Sequence, residues 1–198
     1  MEVKSERTRR LIVEKSAHLF NKKGYHGTSM ADILEATGLT KGGVYGHFKG
    51  KDEIAEEAFS YAFHRVMDEV GIRVRAKSSA MEKLEASIDF YKDYLQRSPI
   101  EGGCPLLNYS SFVNESPPAL AKLIAKSAQA MLDSLEKIID KGKKYGQIRP
   151  EIDPMATAEL IFSRIEGALM IAKSTSDESR LNRLLERLKH DLRMELAP

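Results

Sequence analysis

The 198-residue chain is 42% hydrophobic, carries a formal net charge of +2 and contains a single cysteine, Cys104. That length and hydrophobic content support a sizeable core and exclude disorder as the default, and one cysteine excludes an intramolecular disulfide framework or a cysteine-rich zinc site. The charge is uneven: residues 1–51 hold ten basic side chains against five acidic ones, so a basic segment suited to nucleic acid precedes a mildly acidic remainder.

Residues 5–23 predict an amphipathic helix, with Leu11, Ile12, Ala17, Leu19 and Phe20 on one face and Arg7, Arg9, Arg10, Lys15 and Lys22 largely on the other, ended by Gly24. Thr28 or Ser29 then caps a short second helix, Met30 to Thr37, which stops at Gly38. Thr40 caps a very short third helix, in which Val44 and Phe48 lie four apart and face inward. Two short helices joined by a tight glycine-containing turn, behind a supporting helix, make a helix-turn-helix layout. The expected DNA contacts are Thr40, Lys41, Gly42, Gly43, Tyr45, His47 and Lys51, with Thr28 and Ser29 at the second helix's N-terminus. Two alternatives stay open: His47 as a residue of the head's core, and Thr28 as a cap alone. Gly50 opens a long fourth helix reaching about Arg75, with Asp52 and Glu53 in its first turn.

Phe20, Gly24, Tyr25, Thr28, Ser29, the run from Ile33 to Phe48 and Lys51-Asp52-Glu53 together resemble the N-terminal head of the tetracycline-repressor (TetR) family of transcriptional regulators. The resemblance implies a helix-turn-helix DNA-binding domain over 1–51, a helical effector-binding and dimerisation domain over 52–198, and a homodimer on a palindromic operator in double-stranded DNA. The chain departs from the family pattern at Gly43 and Gly46, which shifts more of the reading to backbone and flanking side chains.

Beyond the head, Met81 to Arg97 predicts one helix, Cys104 to Val113 a short apolar segment, and Ser116-Pro117-Pro118 the start of a helix ending near Gly142. Asp153-Pro154 opens Met155 to Lys173, and Asp177 opens a last helix to about Glu195. No strand pattern of period two occurs, so the expected class is all-α with about nine helices: a three-helix head joined by the fourth helix to a helical ligand-binding and dimerisation domain. Family relatives pair their last two helices across a two-fold axis, which implies a dimer surface of Phe162, Ile165 and Leu169 with Leu181, Leu184, Leu185 and Leu188. The same stripes can instead close the chain's own core.

Gly103-Cys104-Pro105-Leu106-Leu107-Asn108 resembles a Gly-Cys-x-x-x-Asn signature of one TetR branch, in which the cysteine lies by the ligand cavity and in some members senses electrophiles. A small buried hydrophobe is the other reading of Cys104. The aromatic and methionine side chains Phe63, Met67, Tyr91, Tyr94, Phe112, Met131 and Phe162 read by spacing as plain core, whereas the resemblance implies an effector pocket among them, with Cys104, and with Asn108 and Glu166 as orienting groups. It would take an apolar, aromatic or electrophilic small molecule. Nothing in the chain matches a phosphate-binding loop or a nucleophile elbow, and the five histidines lack metal-site spacing, so neither cofactor, metal nor catalysis is expected. No membrane-length apolar run and no signal peptide are read, which points to the cytoplasm. The expected function is a ligand-responsive regulator, a repressor that leaves its operator when the C-terminal domain is bound or modified. An all-helical protein-interaction module without DNA binding and a Cys104-dependent enzyme are the alternatives.

Overall fold

The computed structural model describes residues 4–198, so the expected start of the head at residue 1 lies outside the described residues. Among them are ten α-helices, one 3-10 turn and no strands. Local chemistry sets most helix ends. Helix α1 (Lys4–Lys23) terminates at Gly24, whose φ of +73° favours glycine. Helix α2 (Met30–Thr37) opens with a capping box, in which Asp32 N–H donates to the Ser29 hydroxyl and Ser29 N–H to the Asp32 carboxylate, and it closes on left-handed Gly38. Helix α3 (Lys41–Tyr45) is capped by Thr40, whose Oγ1 accepts from Gly43 N–H. Helix α4 (Lys51–Arg75) has 25 residues, about 37 Å at 1.5 Å per residue.

Helix α5 (Ala80–Asp89) ends sooner than the sequence suggested, and a separate turn of helix, α6 (Tyr94–Arg97), follows. Between them the hydrogen bonds shorten to the third residue back, from Tyr91 to Ile88, Lys92 to Asp89 and Tyr94 to Tyr91. This tightening accompanies burial of three rings together: Phe90, Tyr91 and Tyr94 pack edge-to-face or tilted at centroid distances of 4.9, 5.3 and 5.1 Å.

Helix α7 (Pro105–Ser110), the 3-10 turn Val113–Glu115 and helix α8 (Pro118–Lys144) come next. Helix α9 (Pro154–Thr175) is capped by Asp153 and helix α10 (Glu178–Leu196) by Asp177, at the signatures read from sequence. No helix of the described residues is long and apolar enough to cross a membrane.

The chain forms two compact units, neither continuous in sequence. The first joins residues 4–66 to 99–127; the second joins 67–98 to 128–198. In the first, Ile12, Phe20, Ile33, Val44, Phe48 and Phe59 form the centre of the core. In the second, α9 and α10 pack as a hairpin, and α10 also packs on α5. That packing uses up most of the expected dimer surface. Ile165, Leu169, Leu181, Leu185 and Leu188 are buried within their own chain, because the α10 leucine stripe faces α9 and α5. Of the seven expected interface residues, only Leu184 and the half-buried Phe162 keep exposed surface.

Candidate DNA-binding head and effector cavity

Val44 and Phe48 anchor the third helix from beneath, as their spacing predicts, and leave its outer side almost bare. Lys41, Gly42 and Tyr45 are exposed, while Gly43, His47 and Lys51 are half-buried. A Cβ at Gly42 would meet nothing within 4 Å, and at Gly43 only ordinary contacts beginning at 3.4 Å. Neither glycine has a positive φ. The fold therefore requires glycine at neither place, although each one lowers helix propensity.

Arg9, assigned by periodicity to the solvent face, instead braces this segment. Its guanidinium lies 4.1 Å from the Phe48 ring centroid and donates to the His47 carbonyl, to Glu57 and, at 3.1 Å, to Glu53. Glu53 also accepts from Lys49 N–H at 2.8 Å. The Lys49 amide, and then Arg9, hold the Glu53 carboxyl below its usual range. Lys51 Nζ sits 4.1 Å from the Tyr25 ring centroid, and the Tyr25 hydroxyl donates to Asp52. Burial first, and the Asp52 hydrogen bond second, push the Tyr25 phenol up to about 12.

Several expected phosphate contacts are committed internally. Thr28 is buried and its hydroxyl donates to Gly24 O at 2.8 Å, so it fixes the α1–α2 turn and is not presented to DNA. Ser29 is exposed, but its hydroxyl serves the Asp32 capping box, and Thr40 uses its own on Gly43.

The segment after α6 is clasped to α1. Asn21, almost fully buried, donates from Nδ2 to Glu101 O at 3.0 Å and Gly103 O at 2.9 Å. Asn108 Nδ2 answers it, within 3.0 Å of both Asn21 O and Gly102 O and 3.1 Å of Asn21 Oδ1. Gly102 has φ +107°, and a Cβ there would stand 2.9 Å from Asn21 O, so turn and close approach both require glycine. Lys22 pairs with Glu101 at 2.7 Å, and Phe112 lies against Gly24. Cys104 precedes α7 and is buried, without the exposure that a reactive thiol needs.

The second unit holds an apolar cavity of about 220 Å³. Met67, Val70, Gly71, Val74 and Arg75 of α4 form one wall, Ser87 and Tyr91 another, and Met131, Ser134, Leu135, Ile138, Phe162 and Ile165 the rest. Met67, Tyr91, Met131 and Phe162, expected as pocket residues, line this cavity. Phe63, Tyr94, Cys104, Asn108, Phe112 and Glu166 do not line it: Phe63 stacks on Phe59, Tyr94 joins the Phe90 cluster, Asn108 and Phe112 serve the clasp, and Glu166 stands half-buried on α9.

Residues 12–58 match the bacterial regulatory proteins of the tetR family, and residues 80–188 match the tetracyclin repressor-like C-terminal domain. The chain belongs to the TetR family. A TetR transcriptional regulator from Chloroflexus aurantiacus has the same fold, at a TM-score of 0.93 and 31% identity, with 98% of each chain covered. The transcriptional repressor DhaR of a Mycobacterium species is 23% identical over 89% of this chain and 88% of its own. AibR, solved with isovaleryl coenzyme A and operator DNA, shares the fold at a TM-score of 0.69 and 23% identity, covering 91% of this chain and 97% of that one.

As a TetR-family protein the chain is a DNA-binding transcriptional regulator with an N-terminal helix-turn-helix head. Two of the residues that position this TetR head, Arg9 and Asn21, were missed by sequence reading. Neither carried a local signal, because the partners of Arg9 lie 38 to 48 residues away and those of Asn21 80 to 87.

Proposed function

We propose that this regulator is a dimeric repressor that grips a palindromic operator through α3 and releases it when a small molecule enters the cavity of the second unit. The observation that carries the reading is the composition of α4. Its first turn holds Glu53, which binds Lys49 and Arg9 beside the third helix, and its last turns supply five residues of the cavity wall. One helix therefore carries both the brace of the DNA-reading segment and the surface an effector touches. An effector acts only through its different affinity for two arrangements of that helix, and a coupling of about 1–3 kcal/mol changes DNA affinity roughly 5- to 150-fold. DhaR's description as a repressor and AibR's complex with both a ligand and operator DNA support the same assignment of roles.

Lys41 and Tyr45 are the side chains assigned to DNA on α3, with Lys51, His47, Ser29 and Thr40 flanking them and Gly42 and Gly43 offering backbone. The dimer face is the outer side of the α9–α10 hairpin, where Met170, Ile171 and Leu184 are exposed and Gly167 leaves open space for a partner helix. Two heads then meet half-sites about one DNA turn apart. The Gly103-Cys104 to Asn108 signature is read as marking a branch of the family, its asparagine serving the clasp to α1.

Fluorescence anisotropy with a labelled duplex from the protein's own promoter region tests the reading. Affinity is expected to fall steeply as salt rises, because phosphate contacts release counterions. Lys41→Ala is expected to weaken binding and to make that salt slope shallower. Absence of salt-dependent binding to any duplex would sink the proposal.

A further inference from the structure

A second hollow of about 360 Å³ opens beside the cavity, and the two share Val74, Arg75 and Ile138 in their walls. The two differ in the charged residues of their walls. Arg75, Lys83, Lys137 and Lys141 line the second together with Ser78 and Tyr145, and no acidic residue does. None of the four cations forms an ion pair among the described residues, in a chain whose other lysines and arginines in this unit are repeatedly paired, as Lys92, Arg164, Lys189 and Arg193 are. Lys137 and Lys141 stand four apart on α8, a spacing at which like charges repel.

The groove is also firmly built. A Cβ on Gly142 would come within 2.7 Å of Ala80 Cβ and 2.6 Å of Ile148 Cδ1, so α8 approaches the start of α5 as closely as glycine allows. Gln147 Oε1 accepts from Ala80 N–H at 2.8 Å and fixes the same corner. Arg75 stands between the two spaces, its guanidinium folded back over Gly71.

We propose that the effector is an amphipathic phosphate ester, its short apolar tail in the cavity and its polyanionic head in the groove held by Arg75, Lys83, Lys137 and Lys141. The proposal rests on the reading of the cavity as the effector site. A single carboxylate satisfies one cation, whereas a phosphorylated head engages several. The tail accounts for the cavity's apolar lining, and the head accounts for four unpaired cations at its mouth.

Isothermal titration calorimetry on the full chain, with hexyl diphosphate, hexan-1-ol and inorganic diphosphate as probes, tests it. Hexyl diphosphate is expected to bind about tenfold or more tighter than either other probe, with an affinity that falls as salt rises. In Lys137→Gln/Lys141→Gln, both positions being exposed on α8, the advantage over hexan-1-ol is expected to vanish, with circular dichroism verifying the fold. Equal affinities for the two hexyl compounds, or an advantage that persists in the double variant, overturn the polyanion assignment and leave the cavity as effector site. Inorganic diphosphate binding as tightly as the hexyl ester overturns the shared-ligand geometry. Failure of every hexyl compound to bind overturns both the proposal and the effector-cavity reading beneath it.

Discussion

Single residues decide how α3, the segment proposed to read DNA, would work. Gly42 is exposed on α3 with open space around its missing Cβ and no positive φ, so Gly42→Ala is expected to stabilise the fold by about 0.5–1 kcal/mol. The same methyl group would stand between the α3 backbone and a groove floor. Operator affinity is therefore expected to drop while the melting temperature rises, and an unchanged affinity would remove the backbone of α3 from the interface. Asn108 works at the same scale but inward. Asn108→Ala leaves Asn21 Oδ1 without that donor, and a loss of about 1–3 kcal/mol in denaturant unfolding is expected. The two asparagines also mark the limit of sequence reading. The caps at Ser29, Thr40, Asp153 and Asp177 were legible because cap and partner lie within three residues. Asn21 was not, because its partner is 87 residues away and no periodicity couples them.

At the scale of elements, the helix ends were better determined by sequence than the faces. The α4 boundaries follow from Gly50 and the acidic first turn, whereas the break between α5 and α6 depends on how the rings of Phe90, Tyr91 and Tyr94 meet edge-on or tilted once packed. The leucine stripe of α10 was visible, but its partner was not: an amphipathic face states that it is buried without stating against what. Here it lies on its own chain, pinned by Lys189, whose side chain is almost wholly buried and whose ammonium is 2.8 Å from Asp89. Lys189→Ala is expected to cost about 1–2 kcal/mol, a value moderated because Lys92 still neutralises the half-exposed Asp89. Acid should loosen the head through its carboxylates. Lys23, and then Ser29, hold the Asp32 carboxyl well below its usual range, and Glu53 is held low by Lys49 and Arg9. Groups depressed in this way favour the folded state above pH about 4 and lose that contribution as pH falls through their lowered values. The melting temperature is expected to hold from pH about 7 to about 5 and to decline below about 4, with a shallower decline in Glu53→Gln. A slope identical in wild type and variant would show that Glu53 contributes nothing to acid sensitivity.

For the whole molecule, the exposed side of the α9–α10 hairpin carries the argument for assembly. Met170, 52% exposed, and Leu184, 40% exposed, are apolar side chains that the folded chain leaves in water, and Met170→Glu with Leu184→Glu is expected to shift sedimentation from dimer to monomer while circular dichroism stays unchanged. Operator affinity should fall with it, since one head reaches only one half-site. A double variant that still sediments as a dimer would place the two-fold contact elsewhere.

The Asn21–Asn108 clasp bears on how such a regulator can be rewired. A chimaera spliced after residue 66, grafting this reading head onto another regulator's sensor, would carry Asn21, Gly24 and Lys22 away from Asn108, Phe112 and Glu101. The graft would expose a polar socket and an uncovered turn, and is expected to express poorly and melt early. A portable cassette has to take residues 99–127 along with the first 66, so the interchangeable part of this protein is discontinuous in its gene as well as in its chain.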